Sequence, residues 1–174
     1  MRSALKIYRV FEWIKLIGIW ISGISLFGMM MFIVVDVVLR NVLSDSINGG
    51  FEFVQNYFMP LAVFPALAYV YSSGVLPRMD LVLDKFSVPI KRILIFIMVL
   101  LEIFILGLIV QFTWEYAVSG LEREMSFPAA GSLYPLYPLF FLIPLSFALI
   151  IVENLFILFR NIIERKPSFL FKEK

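Results

Sequence analysis

Four ionisable residues stand inside or at the ends of long apolar runs. Asp36 and Arg40 lie in "IVVDVVLRNV", Glu102 in "VLLEIFIL" and Glu153 in "IIVENLF". Asp36 and Arg40 are spaced i, i+4, so they can pair along one helix face, and a long Arg side chain can also reach up to an interface. Glu102 has no basic residue within a turn on either side, and Glu153 is followed by Asn154. A lone carboxylate in such a setting is either a proton or cation site, or a protonated or hydrogen-bonded group facing another helix or subunit. The second reading is preferred, because a transport site draws on several converging ligands and this chain supplies few. Catalytic chemistry has still less to work with. With no cysteine and no histidine there is no thiol nucleophile, imidazole base, thiolate metal site or haem ligation. No phosphate-binding or dinucleotide-binding glycine motif occurs either. No catalytic residue, metal site or cofactor is therefore assigned.

The elements that carry these residues are membrane helices. Hydrophobic residues make up 61% of the 174 and the mean hydropathy is +0.95, too apolar for a soluble domain of this size. Four segments, near 16–39, 53–76, 92–118 and 134–161, are long enough to cross a bilayer, which takes about 20 helical residues. Between them lie "LSDSINGG" (43–50), "SSGVLPRMD" (72–80) and "SGLEREMSFPAAGS" (119–132), each rich in turn-forming or charged residues. The first apolar run is too long for a cleavable signal peptide, and no small-residue cleavage site follows it. The expectation is an all-α integral membrane protein with four transmembrane helices and short amphipathic interfacial helices, forming a single membrane domain over 1–174.

Thirteen Lys and Arg residues fall on one side of these spans and two, Arg40 and Arg123, on the other. By the positive-inside rule both termini are expected in the cytoplasm. Trp114, Tyr116, Tyr134 and Tyr137 would form an outer aromatic belt, with Tyr69 and Tyr71 in an inner one. Residues 2–15, with Arg2, Lys6 and Arg9 on one face and Leu5, Tyr8 and Phe11 toward another, suit an amphipathic arm lying on the inner leaflet before the chain turns into span one. Residues 78–91 read as a second interfacial segment. Gly18, Ser22 and Ser25 share a face of span one, a small-residue seam for close helix packing. Pro60 and Pro65 predict kinks in span two. The formal charge of +2 gives no indication of a nucleic-acid partner.

The stretch "DVVLRNVLSDSINGGFEFVQNYFMPLAVF" (36–64), with Arg40 closing span one and Glu52 opening span two twelve residues on, resembles the small membrane subunit of tripartite ATP-independent periplasmic transporters. The four-span plan, the Asp- and Pro-bearing loop before span three, and "YPLYPLFFLIPLSFALI" (134–150) extend the resemblance over most of the chain. It implies a non-catalytic scaffold subunit in a bacterial inner membrane. Its partners would be a large membrane subunit, a periplasmic substrate-binding protein and membrane lipids. The transporter would import organic acids on an ion gradient, sodium being the expected ion.

Asp36, Arg40, Glu52, Glu102 and Glu153 are then candidates for structural or subunit-interface roles. Asp45, Glu122, Arg123 and Glu124, in the two outer loops, are candidates for docking the binding protein. Two other functions fit the sequence: a small autonomous proton-coupled carrier acting as a homo-oligomer through Glu102, and an anchor subunit of an unrelated membrane complex.

Overall fold

A computed structural model describes residues 2–44, 46–73 and 87–163, with the side chains of 2–7, 88, 162 and 163 excepted. Helix α1 spans Arg2–Leu43 and α2 spans Gly50–Ser73; α3 spans Val88–Glu122. A two-stranded antiparallel hairpin follows, β1 Ser126–Ala129 and β2 Ser132–Pro135. A single turn, α4 (Tyr137–Phe140), leads into α5 (Leu142–Ile163). Four helical stretches are long and apolar enough to cross a membrane.

The expected spans are all present with shifted ends, and α1 differs most. The turn expected between the 2–15 arm and span one is absent, and the helix runs unbroken for 42 residues, about 63 Å. No glycine or proline interrupts the first sixteen residues. Lys15, at the expected turn, is buried rather than solvated. Residues 74–86, which hold most of the 78–91 segment, lie outside the described residues; Val88–Lys91 form the first turn of α3.

Most apolar side chains of α1 face outward, Trp13, Trp20, Phe27 and Val38 among them. In lipid this surface needs no protein cover, and helix association rests on close packing and polar contacts. The tightest packing joins α3 to α5, where Ile95, Val99 and Ile157 form one cluster with Tyr71, Leu94 and Leu158 around it. Ala68, Leu106 and Ile150 form a second, joining α2 to the same pair.

The two span-two prolines change helix type rather than ending the helix. Pro60 has no N–H to return to the Asn56 carbonyl. The turn ahead of it widens into a π-helix over Val54–Phe58, and the Met59 N–H donates to the Val54 carbonyl. The Asn56 side chain closes the same region by donating Nδ2 to the Glu52 carbonyl at 2.9 Å. Pro65 tightens Phe64–Ala66 into a 3-10 turn and leaves the Leu61 carbonyl without its α-helical partner. Ser22 Oγ of α1 donates to that carbonyl at 3.4 Å. One turn away, Gly18 lies against Pro65 so closely that a Cβ would overlap the proline carbonyl oxygen. Gly18 and Ser22 of the expected seam are thus where α1 meets the proline-broken part of α2.

Gly18→Leu is expected to separate α1 from α2 and lower stability by about 1–3 kcal/mol, the usual cost of overpacking a tight contact. Thermal unfolding in detergent with retention of the monomer peak would check this. An unchanged midpoint would mean that the two helices are not held at this contact.

Candidate functional site

Near the N-terminal end of α1, Tyr8 and Lys15 are two turns apart and share the face turned to α5. Lys15 Nζ donates to Glu153 Oε2 at 2.7 Å, and the Tyr8 hydroxyl donates to Glu153 Oε1 at 2.8 Å. Lys15 Nζ also stands 3.3 Å from the Tyr8 oxygen and 4.9 Å from the ring centroids of both Tyr8 and Phe11. Phe156, one turn after Glu153, packs edge-on against Tyr8 at 5.2 Å and tilted against Phe11 at 5.8 Å. The Lys15 and Glu153 side chains are only 2% and 1% exposed. Both carboxylate oxygens have donors and the ammonium is enclosed by a carboxylate, a hydroxyl and two ring faces. Such a pair is closed to a further ligand; what it does is fasten α1 to α5.

One residue further along α5, Asn154 continues the polar track. The Tyr71 hydroxyl of α2 stands 2.7 Å from Asn154 Oδ1 and 2.9 Å from Glu102 Oε2 of α3. A hydroxyl has one proton to give, so the two acceptors share it. Asn154 is fully buried and its Nδ2 has no partner among the described residues. Turning the amide over would let Nδ2 donate to the tyrosine oxygen and free the hydroxyl proton for Glu102; one polar atom of Asn154 stays unpartnered in either orientation. Tyr71 was expected in an inner aromatic belt. It instead turns inward, because its hydroxyl is the group through which Glu102 meets another helix. Glu102 is half-buried in this arrangement.

At the far end of α1 the i, i+4 pair forms as expected: Arg40 Nη2 donates to Asp36 Oδ2 at 2.9 Å. Asp36 Oδ1 accepts the Ile47 N–H at 2.8 Å, which fixes the turn between α1 and α2. Arg40 does not pair with Glu52, although both line one groove with Asp36.

Above it, the hairpin makes a cap that the loop reading of 119–132 did not anticipate. Phe53, Tyr57, Phe127 and Tyr134 pack ring on ring, with centroids 4.7 Å apart for Phe53 and Tyr134. The Tyr57 hydroxyl donates to the Pro135 carbonyl at 2.6 Å. Gly49, with φ at +76°, sits so close to the hairpin turn that a Cβ would meet Ala130 N at 2.7 Å. The docking candidates Glu122, Arg123 and Glu124 are all exposed beside this cap. Asp45 lies outside the described residues. Glu124 is in the left-handed region, φ +47°, where α3 ends with the Met125 N–H donating to the Gly120 carbonyl; this position usually belongs to glycine.

The sequence candidates therefore divide. Asp36, Arg40 and Glu52 gather at one end; Glu153 pairs with Lys15 and Tyr8, and Glu102 meets Asn154 through the Tyr71 hydroxyl. Tyr8, Lys15, Tyr71 and Asn154 were missed as partners. Lys15 counted only as a flanking charge, and the signal that could have found it is the two-turn Tyr8/Lys15 spacing on a helix with no break.

Four membrane-length helices held together by buried polar contacts, with a hairpin cap at one end, define a multi-pass membrane protein. The sequence model described as tripartite ATP-independent periplasmic transporters, DctQ component, matches residues 29–165. The chain belongs to that family of small transporter membrane subunits. No curated protein and no solved structure matches it.

Lys15→Met should lower stability by about 3–5 kcal/mol, since it leaves a carboxylate buried without its cation. Adding Glu153→Gln should recover a large part of that loss. A double-mutant cycle on thermal or denaturant unfolding reads the coupling; additive effects would mean that the two groups do not act as a pair.

Proposed function

We propose that the chain is the scaffold subunit of a sodium-driven secondary transporter that imports organic acids. Its partners on this reading are a large membrane subunit, which carries the substrate and ion sites, and a periplasmic substrate-binding protein. The observation that carries it is the state of the charges in the spans. Lys15 and Glu153 close on each other, Asp36 holds Arg40 and a backbone N–H, and Glu102 meets Tyr71. These groups brace helices, and no open set of converging ligands is left in the span interior among the described residues. The wide apolar faces of α1 and α3 suit contact with lipid and with a larger membrane protein. The distribution of Lys and Arg favours an inner-membrane orientation with both termini in the cytoplasm.

Within this function Asp36–Arg40 and Lys15–Glu153 act as clamps at opposite ends of α1. Glu52, lining the groove at the outer end, and Glu102, held by Tyr71, are the carboxylates assigned to subunit contact. Glu122, Arg123 and Glu124, and Asp45 in the other outer loop, dock the binding protein. A left-handed conformation at Glu124, where glycine is cheaper, supports a role for its side chain.

Removing this chain while keeping its large partner should abolish uptake in whole cells, whereas Glu102→Gln should leave transport near normal. Full uptake without the chain would refute the scaffold role. Loss of transport in Glu102→Gln with assembly intact would favour the proton-coupled carrier.

Glu122→Lys combined with Glu124→Lys should slow binding-protein association several-fold at low ionic strength and much less at high, because exposed rim charges act mainly on encounter rate. Stopped-flow or surface-capture kinetics across a salt series would show it. A salt-independent rate would put docking elsewhere.

A further inference from the structure

The groove between α1 and the start of α2 is half open, has a volume of about 460 Å³ and has two unlike walls. Phe32, Ile33 and Val54 make the side nearer the span interior, and Asp36, Arg40 and Glu52 the side nearer its end. Gly49 and Gly50 contribute only backbone to its lining. The volume falls within the range of small-molecule sites.

We propose that this groove binds the headgroup and upper acyl chain of a zwitterionic aminophospholipid, with the phosphate on Arg40 and the primary ammonium on Glu52. Both Asp36 oxygens are already engaged, one by the Ile47 N–H and one by Arg40. That leaves Glu52 as the carboxylate able to receive an ammonium; its backbone carbonyl, not its side chain, takes the Asn56 amide. Arg40 gives one nitrogen to Asp36 and is 67% exposed, so other N–H donors of its five remain for a phosphate.

The groove holds two carboxylates and one guanidinium. A free anion or an anionic lipid head would therefore meet net repulsion, whereas a zwitterion adds no net charge and can satisfy both signs. A primary ammonium offers three N–H donors to Glu52; a trimethylammonium offers none. The apolar wall selects a lipid over a soluble zwitterion, because the groove lies where two membrane-length helices meet their connecting turn and continues onto exposed apolar helix surface.

The test uses the full-length chain in mild detergent, stripped of lipid and titrated with phosphatidylethanolamine, phosphatidylcholine or phosphatidylglycerol of matched acyl chains. Native mass spectrometry reads the bound fraction. One phosphatidylethanolamine per chain should bind about tenfold or more tighter than either other lipid, the usual scale for a hydrogen bond to a charged group. Glu52→Gln should erase the preference over phosphatidylcholine, and Arg40→Gln should weaken phosphatidylethanolamine about tenfold. Equal binding of the three lipids, tighter binding of phosphatidylglycerol, or an unchanged preference in Glu52→Gln would overturn the assignment. Should Arg40→Gln fail to fold, the near-isosteric Glu52→Gln decides alone. Glycerophosphoethanolamine at equal concentration should not displace the lipid; if it competes equally well, the site reads a soluble zwitterion and the lipid assignment falls.

Discussion

A lysine and a glutamate, both almost wholly shielded, meet between the first and last helices, and the placement of α1 follows from that meeting. In a chain whose outer surface is apolar enough for lipid, the hydrophobic effect does little to choose one helix arrangement over another. Burying Lys15 and Glu153 separately would be prohibitive, and burying them in contact removes most of that cost. The pair therefore fixes which face of α1 looks inward and the depth at which it meets α5. Tyr8 and the rings of Phe11 and Phe156 complete the enclosure. With α1 pinned there, Gly18 and Ser22 are carried up to α2 at the height of Pro65.

The second constraint is the backbone of α2. Two prolines five residues apart remove two N–H donors, and the helix responds with a π-turn and a 3-10 turn rather than a break. A freed carbonyl at membrane depth must be satisfied by protein, because lipid offers no donor. Ser22 serves Leu61 in this way. The absent Cβ of Gly18 lets α1 approach the distorted stretch, so seam and prolines act as one device.

The two ends of the molecule are built differently. At the lysine–glutamate end the ion pair is dry, and beside it a second polar set runs from buried Asn154 through Tyr71 to half-buried Glu102. At the other end Arg40 is largely open, and the charges line a groove under a cap of aromatic rings and a short hairpin. A dry end suits a brace. An open, partly charged end suits recognition, of lipid in the groove and of a soluble partner at the loops.

The sequence by itself determined the class and the plan: four apolar runs long enough to span a bilayer, their separating turns, and the Arg40–Glu52 stretch that carries the family resemblance. It also determined the Asp36–Arg40 pair, because i, i+4 neighbours on a helix are held together by local geometry alone. Only the tertiary structure decided the partners of Glu153 and Glu102. Lys15 is 138 positions from Glu153 and Tyr71 is 31 from Glu102, and no periodicity within one helix encodes which face of another it will meet. The hairpin escaped notice for a related reason. Its strands are four residues each, too short to announce themselves, and they are stabilised by rings from α2. What is local in the chain was legible; what depends on a buried charge choosing its counter-charge across helices became visible only in the fold.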